Sequence, residues 1–110
     1  MWKYKTVAID YDGTLVEDIH PATNGSAMFG APTVTHLLRR DGWEILIFTC
    51  RPSHQRKEIE ENLKMRGIVF DHISFYGKPV ASLYIDDKGF RFEGDWLSTY
   101  EWIKERDTCE

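Results

Sequence analysis

Short apolar runs alternate along this chain with longer stretches whose apolar residues recur at helical spacing. The run Val7-Ala8-Ile9 predicts a buried strand from about Lys5 to Asp10, and Gly13 turns the chain sharply after it. A polar, glycine-containing stretch follows from Val16 to Gly30. Pro32 suits the first turn of a helix, Val34, Leu37 and Leu38 give that helix one apolar stripe, and Gly42 ends it. Glu44-Ile45-Leu46-Ile47-Phe48-Thr49 is nearly all apolar and predicts a strand covered on both faces. Ser53 predicts an N-cap for a helix from His54 to Arg66, with Ile59 and Leu63 one turn apart on its inner side. Further strands are expected at Val69 to Phe75 and at Ser82 to Ile85. A last helix spans about Asp95 to Arg106, with Trp96, Tyr100 and Ile103 as its expected buried stripe and Leu97 at the flank.

Apolar strands alternating with amphipathic helices imply an α/β domain with right-handed crossovers and a parallel sheet. In such a sheet the carboxyl ends of the strands share one edge, and ligands bind there. Asp10, Thr49 and the pair Asp86-Asp87 all fall at strand carboxyl ends. Residues far apart in sequence are therefore expected to meet in space.

The length of 110 residues fits a single domain spanning the whole chain. A domain of this size buries only about 65% of its unfolded surface, so self-association would help it. The net charge of −4 argues against a dedicated nucleic-acid binder, which carries a basic face. Cys50 and Cys109 fit neither a zinc motif nor a redox pair, and Cys50, ending an apolar run, reads as a small buried side chain. No signal peptide precedes the first strand and no apolar run approaches the length needed to span a bilayer, so a cytoplasmic setting is the expectation.

The chemistry lies in Asp10-Tyr11-Asp12-Gly13-Thr14. Two carboxylates at the end of a buried strand raise one another's pKa unless a cation or hydrogen-bond donors neutralise them. Asp86 and Asp87 add two more acids, and an all-oxygen set without His or Cys suits Mg²⁺, which is often completed by substrate phosphate. Thr49 and Lys78 supply a hydroxyl and a cation for phosphate oxygens.

Taken together and in order, Asp10-Tyr11-Asp12-Gly13-Thr14, Thr49, Lys78 and Asp86-Asp87 resemble the four motifs of the haloacid dehalogenase superfamily phosphatases, in particular its small capless members. The resemblance covers about Val7 to Asp87. It implies a three-layer Rossmann-like sandwich with strand order about 4-1-2-3 and no cap. It assigns Asp10 as nucleophile and metal ligand. Asp12 becomes general acid/base and offers its backbone carbonyl to the metal. Thr49 and Lys78 hold phosphate, and Asp86 and Asp87 serve the metal. Gly13 and Arg51 join Thr49 and Lys78 against the substrate. An acid at position 12 separates phosphatases from true dehalogenases in that superfamily. Two departures stand out: Lys78 precedes Asp86 by only eight residues, too few for an intervening helix, and no further acid follows Asp87 nearby.

Two other classes share these residue types. A receiver-type phospho-acceptor domain places adjacent acids after its first strand and its Lys after its fifth, an order this chain lacks. A metal- and phosphate-binding module of slow turnover differs from the enzyme only in rate. The 17 residues between Thr14 and Pro32 cannot form a cap domain, so an open site is expected. Its substrate would be a small phosphorylated molecule or an exposed nucleotide or nucleic-acid phosphate end. His20 and Asn24, in the loop after the nucleophile, are candidate substrate contacts.

Overall fold

The computed structural model describes residues 4–19 and 23–107; His20 and Cys109 lie outside the described residues. Strand β1 (Thr6–Asp10) pairs in parallel with β2 (Glu44–Phe48) on one side and with β4 (Leu83–Ile85) on the other. β2 pairs in parallel with β3 (His72–Ser74), which gives the sheet order β3-β2-β1-β4, the expected 4-1-2-3 read from the other edge. The chain is a Rossmann-like α/β domain, and no helix among the described residues is long and apolar enough to cross a membrane.

Strand parity decides where the core sits. Val7, Ile9 and Tyr11 of the first strand and its extension share a face with Ile45, Ile47 and Ile73. On that face pack α1 (Ala31–Arg40), through Ala31 and Leu38, and α2 (Arg56–Met65), through the buried Ile59 and Leu63. Both helices fall on one face because β1, β2 and β3 step across the sheet in one direction with right-handed crossovers. Gly30 precedes α1 with φ +88°, a conformation glycine adopts without steric cost.

The opposite face presents Ala8, Leu46, Phe48 and Tyr84. No helix separates β3 from β4. The connecting segment meets this face at Lys78 and Pro79. Lys78 Nζ stands 5.7 Å from the Phe48 ring centroid and 5.3 Å from that of Tyr84, and the Tyr84 hydroxyl donates to the Pro79 carbonyl at 2.7 Å. Phe48 and Tyr84 meet edge to face.

Several expectations need correction. The third strand is shorter than Val69 to Phe75, because the Asp71 carboxylate turns inward to accept from the Ile45 amide at 2.8 Å and from Arg39 at 2.8 Å. Ser53 does not cap a helix; Ser53–Gln55 forms a single 3₁₀ turn that leads into α2 without a side-chain cap. Cys50 is exposed, because the strand ends two residues before it and the chain turns outward. The final helix, α3 (Trp96–Asp107), is capped by Asp95, whose carboxylate accepts from the Leu97 amide at 3.0 Å. Its expected buried stripe is exposed: the buried position is Thr99, and Trp102 packs on Phe90 while Trp96 meets Phe92 in ring contact.

Candidate active site

The strand register brings the acids together. Ile9 pairs with Ile85 across β1 and β4, so Asp10 and Asp86 leave neighbouring strand ends at the same height. Carboxylate oxygens of Asp10, Asp86 and Asp87 lie within 4.8 Å of one another, the one group of metal-type ligands so close among the described residues. Three carboxylates at this spacing could hold a hard divalent cation.

The electrostatics state what such a cluster lacks. Burial, the Asp86 carboxylate and a hydrogen bond with Asp87 push the Asp10 carboxyl up from 3.8 to about 6. Asp86 is lowered instead, first by the Lys88 amide that donates to its Oδ1 at 2.9 Å and then by Lys78. Lys78 Nζ is 3.4 Å from Asp86 Oδ2, on a side chain that remains half exposed. The short connection from β3 to β4 therefore delivers this lysine to the acid cluster without a helix.

Gly13 has φ +86°, and a Cβ there would overlap the Asp87 carboxylate. The glycine lets the acid turn pass close beneath Asp87. Its amide donates to the Val16 carbonyl at 2.8 Å.

Thr49 is 4% exposed and its Oγ1 accepts from the Arg51 amide at 3.1 Å. That bond orients the hydroxyl and leaves its hydrogen to be donated. Arg51 itself is buried. Its Nε and Nη2 each donate to Asp12 at 2.8 Å, Nη2 also to the Thr23 carbonyl at 2.8 Å, and Nη1 to Gln55 at 3.1 Å. The guanidinium is raised above its ordinary pKa chiefly by the Asp12 hydrogen bonds. Asp12 consequently faces Arg51, and its carboxylate stays out of the acid cluster.

Beneath the acid turn lies a buried polar network that the sequence reading missed. The Tyr11 hydroxyl donates to Asn24 Oδ1 at 2.7 Å and accepts from Asn62 Nδ2 at 2.9 Å, and Asn62 also donates to the Gly25 carbonyl at 3.0 Å. Burial raises the Tyr11 pKa. Asn24 thus props the turn through the Tyr11 hydroxyl. The available signal was Asn62, an amide lying beside Leu63 on the inner side of its helix.

No protein-family model matches the chain, nor does any curated protein. A solved structure, that of a conserved protein from Bacteroides thetaiotaomicron, is similar to it at 28% identity. The match covers 96% of this chain and 94% of that one with a TM-score of 0.67, so the two share the fold over nearly their whole lengths.

Proposed function

We propose that this chain is a Mg²⁺-dependent phosphomonoester hydrolase of the haloacid dehalogenase type, acting through an aspartyl-phosphate. The observation that carries the reading is the Asp10–Asp86–Asp87 cluster at the carboxyl edge of a parallel sheet, with Lys78 3.4 Å from Asp86. The all-oxygen donor set and the raised Asp10 fit a cation held between these acids. Bound there, Mg²⁺ would supply positive charge to the phosphoryl oxygens.

The protein's own groups supply the rest. Asp10 attacks phosphorus, and the bond to its carboxylate forms as the bond to the leaving oxygen breaks. Asp12 gives that oxygen a proton, then takes one from the water that attacks phosphorus and frees Asp10 and phosphate. To do so Asp12 must turn away from Arg51, which holds both of its oxygens. Thr49 and Lys78 hold phosphoryl oxygens. Without a cap, the site suits an exposed phosphate on a nucleotide, a nucleic-acid end or a small metabolite, and the net charge of −4 disfavours long nucleic-acid contacts. The reading places the enzyme in the cytoplasm, where the exposed Cys50 thiol stays reduced.

One observation favours a second reading, a metal- and phosphate-binding module of slow turnover: Asp12 rests on Arg51, away from the cluster. Steady-state hydrolysis of p-nitrophenyl phosphate and of a panel of nucleotides, sugar phosphates and phosphorylated oligonucleotides separates the two. The enzyme reading expects Mg²⁺-dependent turnover that Asp10→Asn lowers by about 10³-fold or more. Undiminished turnover in that variant sinks the mechanism, and no turnover across the panel supports the module.

A further inference from the structure

A cleft of about 530 Å³ adjoins the acid cluster, lined by Lys78, Tyr84, Asp86, Phe90 and Arg91. Its volume is that of a small-molecule site. Asp86 and Lys78 belong to cleft and cluster alike, with Lys78 Nζ 3.4 Å from Asp86 Oδ2. A phosphoryl group held at the cluster therefore has this cleft beside it.

Two aromatic rings stand in the cleft wall, each fixed by an aromatic neighbour. Tyr84 is 42% exposed and meets Phe48 edge to face; Phe90 is 36% exposed and packs on Trp102 with ring centroids 4.7 Å apart. Rings already held in place offer a flat surface on which a nucleobase can stack. The cleft also holds a cation in need of an anion. Every other arginine among the described residues donates a hydrogen bond or pairs with a carboxylate, and Arg91, which is exposed, does neither. Glu93 and Asp95 line an adjoining cleft with Arg91, yet neither is within ion-pair distance of it, and the Asp95 carboxylate turns to the Leu97 amide.

We propose that this cleft is the leaving-group subsite and takes a nucleoside that carries a second phosphate. The base lies against Tyr84 and Phe90, the second phosphate pairs with Arg91, and the phosphate to be cleaved sits at the acid cluster. The inference rests on the phosphatase reading for the place of that first phosphate. A sugar phosphate would leave both rings unused. A mononucleotide would commit its one phosphate to the cluster and leave Arg91 without an anion. A free nucleoside bisphosphate and the phosphorylated end of a short oligonucleotide share the required chemistry, while the net charge of −4 works against a longer strand.

The test is a ladder of three phosphate esters given to the full chain with Mg²⁺: ribose 5-phosphate, AMP and adenosine 3′,5′-bisphosphate. The base is expected to raise kcat/KM by about 10-fold from the first to the second. The second phosphate is expected to raise it by about 10-fold again. Arg91→Met, at an exposed position, is expected to abolish the second step of the ladder and keep the first. Phe90→Leu, checked for folding by circular dichroism, is expected to flatten the first. Turnover that is equal along the ladder, or a second step that survives Arg91→Met, overturns the subsite and leaves the phosphatase reading intact. If no ester turns over, the phosphatase reading fails by itself, and the ladder is read as Kd by calorimetry. The same order, lost in Arg91→Met, then supports the subsite, and an absence of binding overturns it. The 5′-phosphorylated dinucleotide pApA identifies the source: a kcat/KM or affinity above that of the bisphosphate supports a strand end, and one below it the free nucleotide.

Discussion

Asp10→Asn is expected to make the metal-free protein more stable, even as it removes the proposed nucleophile. The Asp10 carboxyl is raised from 3.8 to about 6 in the folded chain, so the folded state favours the protonated form more than the unfolded state does. Between about pH 4 and pH 6 the folded state binds more protons, and stability falls as pH rises through that window. Above pH 6 the penalty is fully present; below pH 4 it is gone. The shift of about 2.2 pH units corresponds to about 3 kcal/mol at pH 7. Asp10 is only partly buried, so solvent screening reduces this to about 1–2 kcal/mol. For 110 residues the unfolding entropy is about 0.23 kcal/mol per kelvin, so the variant melts about 4–9 °C above wild type at pH 7 in EDTA. At pH 4 the two melt together. Adding 10 mM Mg²⁺ reverses the order in part: a site of about 1 mM affinity stabilises wild type by about 1.4 kcal/mol, and the variant gains far less. Thermal melts followed by circular dichroism at several pH values measure all of this. A variant that melts below wild type in EDTA at pH 7, or a difference that does not change with pH, refutes the account of the acid cluster.

Two substitutions test the parts around the cluster. Gly13→Ala places a Cβ against the Asp87 carboxylate at φ +86°, and is expected to cost about 1–2 kcal/mol in denaturant melts and to weaken the Mg²⁺-induced rise in melting temperature. Asn62→Leu leaves the Gly25 carbonyl and the Tyr11 hydroxyl short of a donor, and is expected to cost about 2 kcal/mol by urea unfolding, while Glu61→Leu, on the exposed side of the same helix, changes stability by under about 0.5 kcal/mol.

The sheet was legible because each strand ends in a recognisable way. The run before Asp10 and the run before Thr49 gave the strand ends, and the crossover rule then placed Asp10, Thr49 and Asp86 on one edge. The pairing of Arg51 with Asp12 was not legible, because it joins residues 39 apart through side-chain geometry that no local pattern encodes. The network under the acid turn was hidden for the same reason, although Asn62 on an inner helix face was a signal in plain view. The stripe of α3 failed differently. Periodicity reports that a helix has an apolar side, and leaves open which surface covers it. Cys50 and Ser53 were misjudged at element boundaries, Cys50 two residues past a strand end and Ser53 at the start of a 3₁₀ turn.

The segment between β3 and β4 has a kinetic consequence. It sets Lys78 over the rings of Phe48 and Tyr84 and beside Asp86. A loop held by few buried contacts opens more readily than a packed helix, and such openings are read by amide hydrogen exchange. Each opening here parts Lys78 from the rings of Phe48 and Tyr84 and from the acids in the same event. The exchange rate of the strand amides beneath and the lifetime of the charged site are therefore set by one equilibrium.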